Sequence, residues 1–285
     1  MLPPRMLPPK TFDRDLIAAH LRRRSPERED FVTRLVLDDL AERLQVVTRT
    51  FKQAAILSPD AGQMPLRGNT RDGSFEFERV STVLDATVDV EALTLPRGGG
   101  YDLIVSIFDM QVVNDVVGFL SRIRRHLAPD GLFIAAAIGG DSLHELRHAF
   151  LTADSARSGG AFARVAPFIP LADAGGLLQR AGLALPVTDI ETHTVRYASP
   201  FALMQEIRAL GASNPLADRP GRLMTPRLLA AAAEAYVEQF ADPDGRIRAT
   251  LEIIWMSGWA PDESQQKPLK PGSAQVSLRD VLGRD

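Results

Sequence analysis

Two periods of apolar and polar positions alternate along the chain. Residues 27–48 place Phe31, Leu35, Leu37, Leu40 and Leu44 on one side of an expected helix. The run Ala54-Ala-Ile-Leu57 is apolar throughout and predicts a strand covered on both faces, ending in the turn Ser58-Pro-Asp-Ala-Gly62. Residues 63–75, rich in Gly, Asn, Asp and Arg, read as loop, and a strand is expected within 77–84. Tyr101-Asp-Leu-Ile-Val-Ser106 predicts another buried strand and residues 114–127 an amphipathic helix. Pro129-Asp-Gly131 then turns the chain into an apolar strand at 132–138.

The second half follows a different rhythm. A helix is expected at 171–182 and a partly alternating strand at 186–196. Helices follow at 199–211 and 225–240, the latter with Thr225 as N-cap and Pro226 at its first position. Residues 246–259 predict a long strand. Alternating strands and helices in the first half imply a parallel α/β sheet; the two late strands imply an antiparallel addition interrupted by a helical insertion at about 199–240. Ligands of such sheets sit at the carboxyl ends of strands, which directs attention to residues 58–62, 85–91, 106–111 and 139–145.

Composition narrows the chemistry. The 285 residues carry 33 Lys+Arg against 36 Asp+Glu and no cysteine. That removes disulfides, thiolate catalysis and cysteine-held metals, and the near-neutral balance speaks against nucleic acid as a partner. No apolar run is long enough for a membrane span, and the first ten residues lack a signal peptide's apolar segment. A cytoplasmic protein is therefore expected. Residues 1–28 hold seven cations (Arg5, Lys10, Arg14, Arg22, Arg23, Arg24, Arg28) against three acids. They read as a solvated helix face, with peripheral contact to an acidic membrane surface as the alternative.

His144-Glu-Leu-Arg-His148 spells H-E-x-x-H, a spacing that sets two imidazoles on one helix face for zinc. Three features set the metal aside. Arg147 brings a cation into the site, Ser142 and Glu145 match a capping box, and no third ligand follows at a fitting distance. Ser58, Asp60 and Gly62 lie where a nucleotide-type domain carries its glycine-rich loop, although Pro59 removes one donor. Asp85, Asp89 and Glu91 follow the next strand, where an acid can accept from ribose hydroxyls. Ser106, Asp109, Gln111 and Asn114 would line the same cleft, Asn114-Asp115 equally suiting a helix N-cap. Trp255, Trp259 and Tyr197 read as core or edge aromatics, and His20, His126 and His193 show no evident partner.

Residues 101–150, YDLIVSIFDMQVVNDVVGFLSRIRRHLAPDGLFIAAAIGGDSLHELRHAF, resemble the second half of a class I S-adenosylmethionine-dependent methyltransferase domain. The branch is that of the mitochondrial complex I assembly factor that hydroxylates an arginine, with its alphaproteobacterial relatives. Its segments are similar to Thr11-Phe-Asp-Arg14, Val165-Ala-Pro-Phe168, Leu177-Leu-Gln-Arg-Ala-Gly182, Glu263-Ser-Gln265 and Gly272-Ser-Ala274. The same resemblance accounts for Glu145-Leu-Arg147 without either histidine. It also shows departures. Where the family carries a motif similar to ALDLGCGPG, Ile56 stands for the acid and Ser58 and Asp60 for the first two glycines, leaving Gly62. The stretch from there to Tyr101 is shorter by a helix, and Gln111 replaces a histidine.

The resemblance implies a Rossmann-like methyltransferase fold over residues 51–285, preceded by an N-terminal helical extension at 1–50. It implies S-adenosylmethionine as cosubstrate, with Ser58, Asp60, Gly62, Asp85, Asp89, Ser106 and Gln111 as contacts. A protein substrate, a respiratory complex I subunit, would enter between Gly139-Gly140-Asp141 and the insertion helices. Two rival functions follow from the same residues: a malonyl-carrier-protein O-methyltransferase, which needs a working cosubstrate loop, and a non-catalytic assembly module, which does not.

Overall fold

The computed structural model describes residues 10–25, 30–85, 87–158, 160–219 and 224–266. Arg5, Arg28 and the Gly272–Ala274 match lie outside these residues. Helices α1 (Arg14–Arg22) and α2 (Phe31–Gln45) lead into strand β1 (Ala54–Ser58), then β2 (Arg67–Thr70), β3 (Gly73–Ser81) and β4 (Tyr101–Ile107). Helix α3 (Val116–His126), β5 (Leu127–Ile138), α4 (His144–Ser158), α5 (Leu171–Arg180) and β6 (Ala184–Tyr197) follow. Helices α6 (Pro200–Ala209) and α7 (Pro226–Phe240) separate β6 from β7 (Ile247–Trp259).

All seven strands form one sheet in the order β2-β3-β1-β4-β5-β7-β6. The strands β3, β1, β4 and β5 are mutually parallel, while β2 and β7 run against their neighbours. This is a Rossmann-like α/β fold with the expected late antiparallel strands. The period of two in β1 explains its uniform burial: Ala54 and Ile56 join a core under α2 with Val36, Leu40 and Leu44. Ala55 and Leu57 face the opposite core with Phe119 of α3 and Leu178 of α5. A third cluster joins Leu146 and Phe150 of α4 to Ala232 and Tyr236 of α7 and to Ala249 of β7.

Several sequence expectations need correction. Residues 63–75 are not plain loop: β2 and the start of β3 form a hairpin there, its turn set by Gly73 at φ 159°. A hairpin therefore stands where a loop was expected, and the missing family helix is replaced by a single 3₁₀ turn at Ala61–Gln63. The buried stripe of α2 contains Thr33 and Val36 with Leu40 and Leu44, rather than Leu35 and Leu37. Pro129-Asp-Gly131 is not a turn ahead of the strand; it is absorbed as an irregularity in β5, where pairing jumps from Tyr101–Leu127 to Leu103–Leu132. Asp115 caps α3 by accepting from Gly118 N at 2.8 Å, whereas Asn114 bonds elsewhere. His126 has partners: Leu95 N–H donates to its Nε2 at 3.2 Å, and its Nδ1 lies 2.8 Å from Arg122 O.

Candidate functional site at the carboxyl edge of the sheet

Because β1, β3, β4 and β5 are parallel, their carboxyl ends converge on one edge, as the fold class requires. A cavity of about 290 Å³ opens there between α1, the β1 and β5 ends and α6. Its wall is mostly apolar, including Phe31, Ile138, Leu143, Leu203 and Ile207. Of the expected cosubstrate contacts, Ser58, Asp60 and Gln111 line it; Gly62, Asp85, Asp89 and Ser106 do not.

The loop after β1 already uses its own polar groups. Ser58 O accepts from Thr82 N at 2.9 Å, and Pro59 O from Leu84 N at 3.2 Å. Ala61 N–H donates to Ser81 Oγ at 2.9 Å and Gly62 N–H to Asp60 Oδ1 at 2.9 Å. The donors that would cradle an anionic ligand group are thus engaged within the chain. Asp60 also pairs with Arg24 at 2.5 Å, both side chains 17% exposed.

The next acids are turned to local tasks. Asp85 closes a turn on the Thr87 side chain and then its backbone N–H, which together hold its carboxyl below the usual range. Asp89 accepts from Glu91 N at 2.9 Å, and both aspartates are exposed. Glu91 accepts from Asn114 N at 3.0 Å. Ser106 is fully buried and donates to Asp109 Oδ2 at 2.7 Å; Thr82 Oγ1 donates to the other oxygen. Complete burial pushes the Asp109 carboxyl up to about 6 against the pull of these hydroxyls and of Arg14. Gln111 accepts from Ile138 N at 3.0 Å, tying β4's loop to the end of β5.

The Gly139-Gly140-Asp141 segment is a packing joint. A Cβ on Gly139 would lie 2.7 Å from Glu252 Cβ, and one on Gly140 3.2 Å from Pro170 Cα. Glu252 Oε2 accepts from Asp141 N at 2.8 Å. Only Asp141 is exposed.

The H-E-x-x-H segment starts α4, but Ser142 and Glu145 do not form the expected capping box. Ser142 Oγ accepts from Glu252 N at 2.9 Å, and Glu145 receives Thr250 Oγ1 at 2.6 Å and Thr250 N at 2.9 Å. Among the described residues no three His, Asp or Glu side chains group to hold a metal.

Two residues that the sequence pattern assigned to a solvated face point inward instead. Arg24 meets Asp60, and the Arg14 guanidinium donates to Thr82 O and, at 3.4 Å, to Val112 O. Sequence patterning does not single out Arg164, which grips the wholly buried Asp154 through two bonds of 2.7 and 2.8 Å at the cavity wall. Nothing in local spacing marks it, since the pair forms across the α4 terminus. Arg14 did carry a signal, as the last residue of Thr11-Phe-Asp-Arg14.

No family model matches the chain. It is 33% identical over 286 residues to the mitochondrial arginine-hydroxylase NDUFAF5 of Homo sapiens, covering 95% of this chain and 83% of the relative. The NDUFAF5 of Danio rerio is also 33% identical, over 88% of this chain and 82% of its own length. The chain belongs to the NDUFAF5 arginine-hydroxylase family. A malonyl-[acyl-carrier protein] O-methyltransferase of Halorhodospira halophila is 33% identical over 69% of this chain and 64% of that protein. Among solved structures, the N-methyltransferase NodS of Bradyrhizobium japonicum aligns with 87% of this chain and 98% of its own, at 12% identity and a TM-score of 0.40.

S-adenosylmethionine needs free N–H donors after β1 and a free acid beyond the next parallel strand. In this member of the NDUFAF5 family the β1 donors are bonded, Asp60 is paired and no helix follows β1. The residues present do not fit the group.

Proposed function

We propose that this chain is a cytoplasmic assembly factor for respiratory complex I that engages a segment of a complex I subunit through the apolar cavity, without methyl transfer. Support comes first from the NDUFAF5 match, which runs through the GGDS segment and the insertion helices as well as the sheet. The single observation that carries the reading is the make-up of the cavity at the carboxyl edge. Its wall is mostly apolar, and of the polar residues that the β1 and β4 loops bring to it, Asp60 is paired with Arg24 and Gln111 is bonded to Ile138 N.

An apolar wall with few convergent polar groups suits a hydrophobic protein segment. Arg164, Ser142 and Thr250 lie on that wall, with Arg24, Asp60, Gln111 and Asn214 among its other polar residues. The arginine hydroxylation named for the relatives would require an oxidant, and no residue described here is assigned to that step. The carrier-protein O-methyltransferase reading fits less well, because it depends on the loop whose donors are engaged.

Capture of complex I subunits on the tagged full-length chain tests the proposal. The expected result is retention of one subunit, lost when Leu203→Glu and Ile207→Glu charge the cavity wall, and a fall in assembled complex I on depletion. Normal complex I levels after depletion would overturn it.

A further inference from the structure

The first turn of α1 is held over the carboxyl edge by a set of contacts that converge on one side chain. Phe12 forms an isolated antiparallel bridge with Leu216, flanked by Asp13 N to Pro215 O and Ala217 N to Thr11 O, both 2.9 Å. Asn114 Oδ1 accepts from Phe12 N at 2.8 Å, and Asn114 is itself held by Glu91. Asp13 caps α1 and receives Arg219 Nη1 at 3.2 Å. The next residue, Arg14, is thereby aimed between the β3 and β4 ends. There its guanidinium donates to Thr82 O and Val112 O. The negative groups acting on it are Asp109, Glu91 and Asp89, in that order.

We propose that the cleft beyond β3 and β4 is, in this chain, a guanidinium site filled by its own Arg14, and that it takes no S-adenosylmethionine. Two backbone carbonyls and a buried carboxylate present only acceptors, which suits a planar cation with several N–H donors and no acceptor. A ribose would instead require a free acid: Asp109 has both oxygens bonded, by Thr82 and Ser106, and Asp85 and Asp89, the acids beyond β3, each close a local turn. Charge explains why a cation belongs there: without Arg14, Asp109 is left buried with no opposite charge among the groups acting on it.

The site is separable from the complex I reading: footprinting and rescue by small cations test it alone, whereas S-adenosylmethionine binding by the wild type would count against both. Phenylglyoxal footprinting of the wild-type chain should leave Arg14 unmodified while Arg22 and Arg23, both exposed, react. Arg14→Ala should lower the melting temperature by several degrees. Millimolar methylguanidinium should restore most of that loss, whereas methylammonium should not. Wild-type protein should give no heat with millimolar S-adenosylmethionine. Labelling of Arg14 as fast as Arg23, equal effects of the two cations on Arg14→Ala, or S-adenosylmethionine binding by the wild type would each overturn the proposal. If Arg14→Ala does not fold, footprinting and calorimetry on the wild type still decide it.

Discussion

The two halves of the sheet's carboxyl edge are made from similar residues and solve different problems. Beyond β1, β3 and β4 lie short loops with aspartates, hydroxyls and arginines, each bonded to another within the chain. Beyond β5, beside the first half of the antiparallel β7, the polar residues act as struts: Ser142, Glu145 and Glu252 lock α4's start to β7, and Arg164 locks Asp154. The first arrangement fills the cleft beyond β3 and β4, whereas the second braces the far wall of a cavity that the β1 and β4 loops also line. Buried acids stand on both sides, Asp109 on the first and Glu145, Asp154 and Glu252 on the second, and a fully satisfied buried polar network stiffens the wall it backs.

The strongest challenge to that contrast is Asp154→Ala. It leaves the Arg164 guanidinium, 11% exposed, without its partner. A loss of about 3–5 kcal/mol in urea unfolding is expected. A loss below about 1 kcal/mol would mean the joint is wet and the two halves are alike.

Asp109 sharpens the other half. Its folded-state value of about 6 exceeds the ordinary 3.8, so the native state holds this proton where the unfolded chain has released it. Its contribution therefore favours folding most below about pH 4 and declines as pH rises toward 6, by about 3 kcal/mol at roughly 1.4 per unit. Asp109→Asn removes that slope. The variant's stability relative to wild type should improve by up to that amount between about pH 4 and pH 7. A difference that stays level with pH would refute the buried carboxyl.

Gly139→Ala tests the joint between the halves. The new methyl meets Glu252 Cβ at 2.7 Å, so a cost of about 1–3 kcal/mol is expected, read as a lower urea midpoint. Arg24→Ala should have the smallest effect, under about 1 kcal/mol, because the Asp60 pair retains solvent contact. A larger loss would place Arg24 among the struts.

Periodicity made most of the scaffold readable. The uniform apolar runs at Ala54–Leu57 and Leu132–Ile138 fixed buried strands, and Thr225-Pro226 marked the start of α7. The β2–β3 hairpin was not readable because its outer face carries Arg, Asn and Glu, and only Phe75 and Phe77 hint at an inner one. At the site, the loss of glycines at 58 and 60 was visible, but the substitutes' partners were not. Arg24–Asp60 joins residues 36 apart and Arg14–Thr82 residues 68 apart, and no local pattern encodes such pairs. Glu145 was misread for the same reason: its real partner, Thr250, is 105 residues away.

The supports of α1 also make its docking a long-range event. Arg14 rests on residues 82, 112 and 114 and on the 215–217 bridge. Contacts so far apart along the chain carry a loop-closure cost, so the helix has its full seat only where segments about two hundred residues apart meet. Loss of that seat would open the edge beyond β3 and β4 to any cation that can reach Asp109.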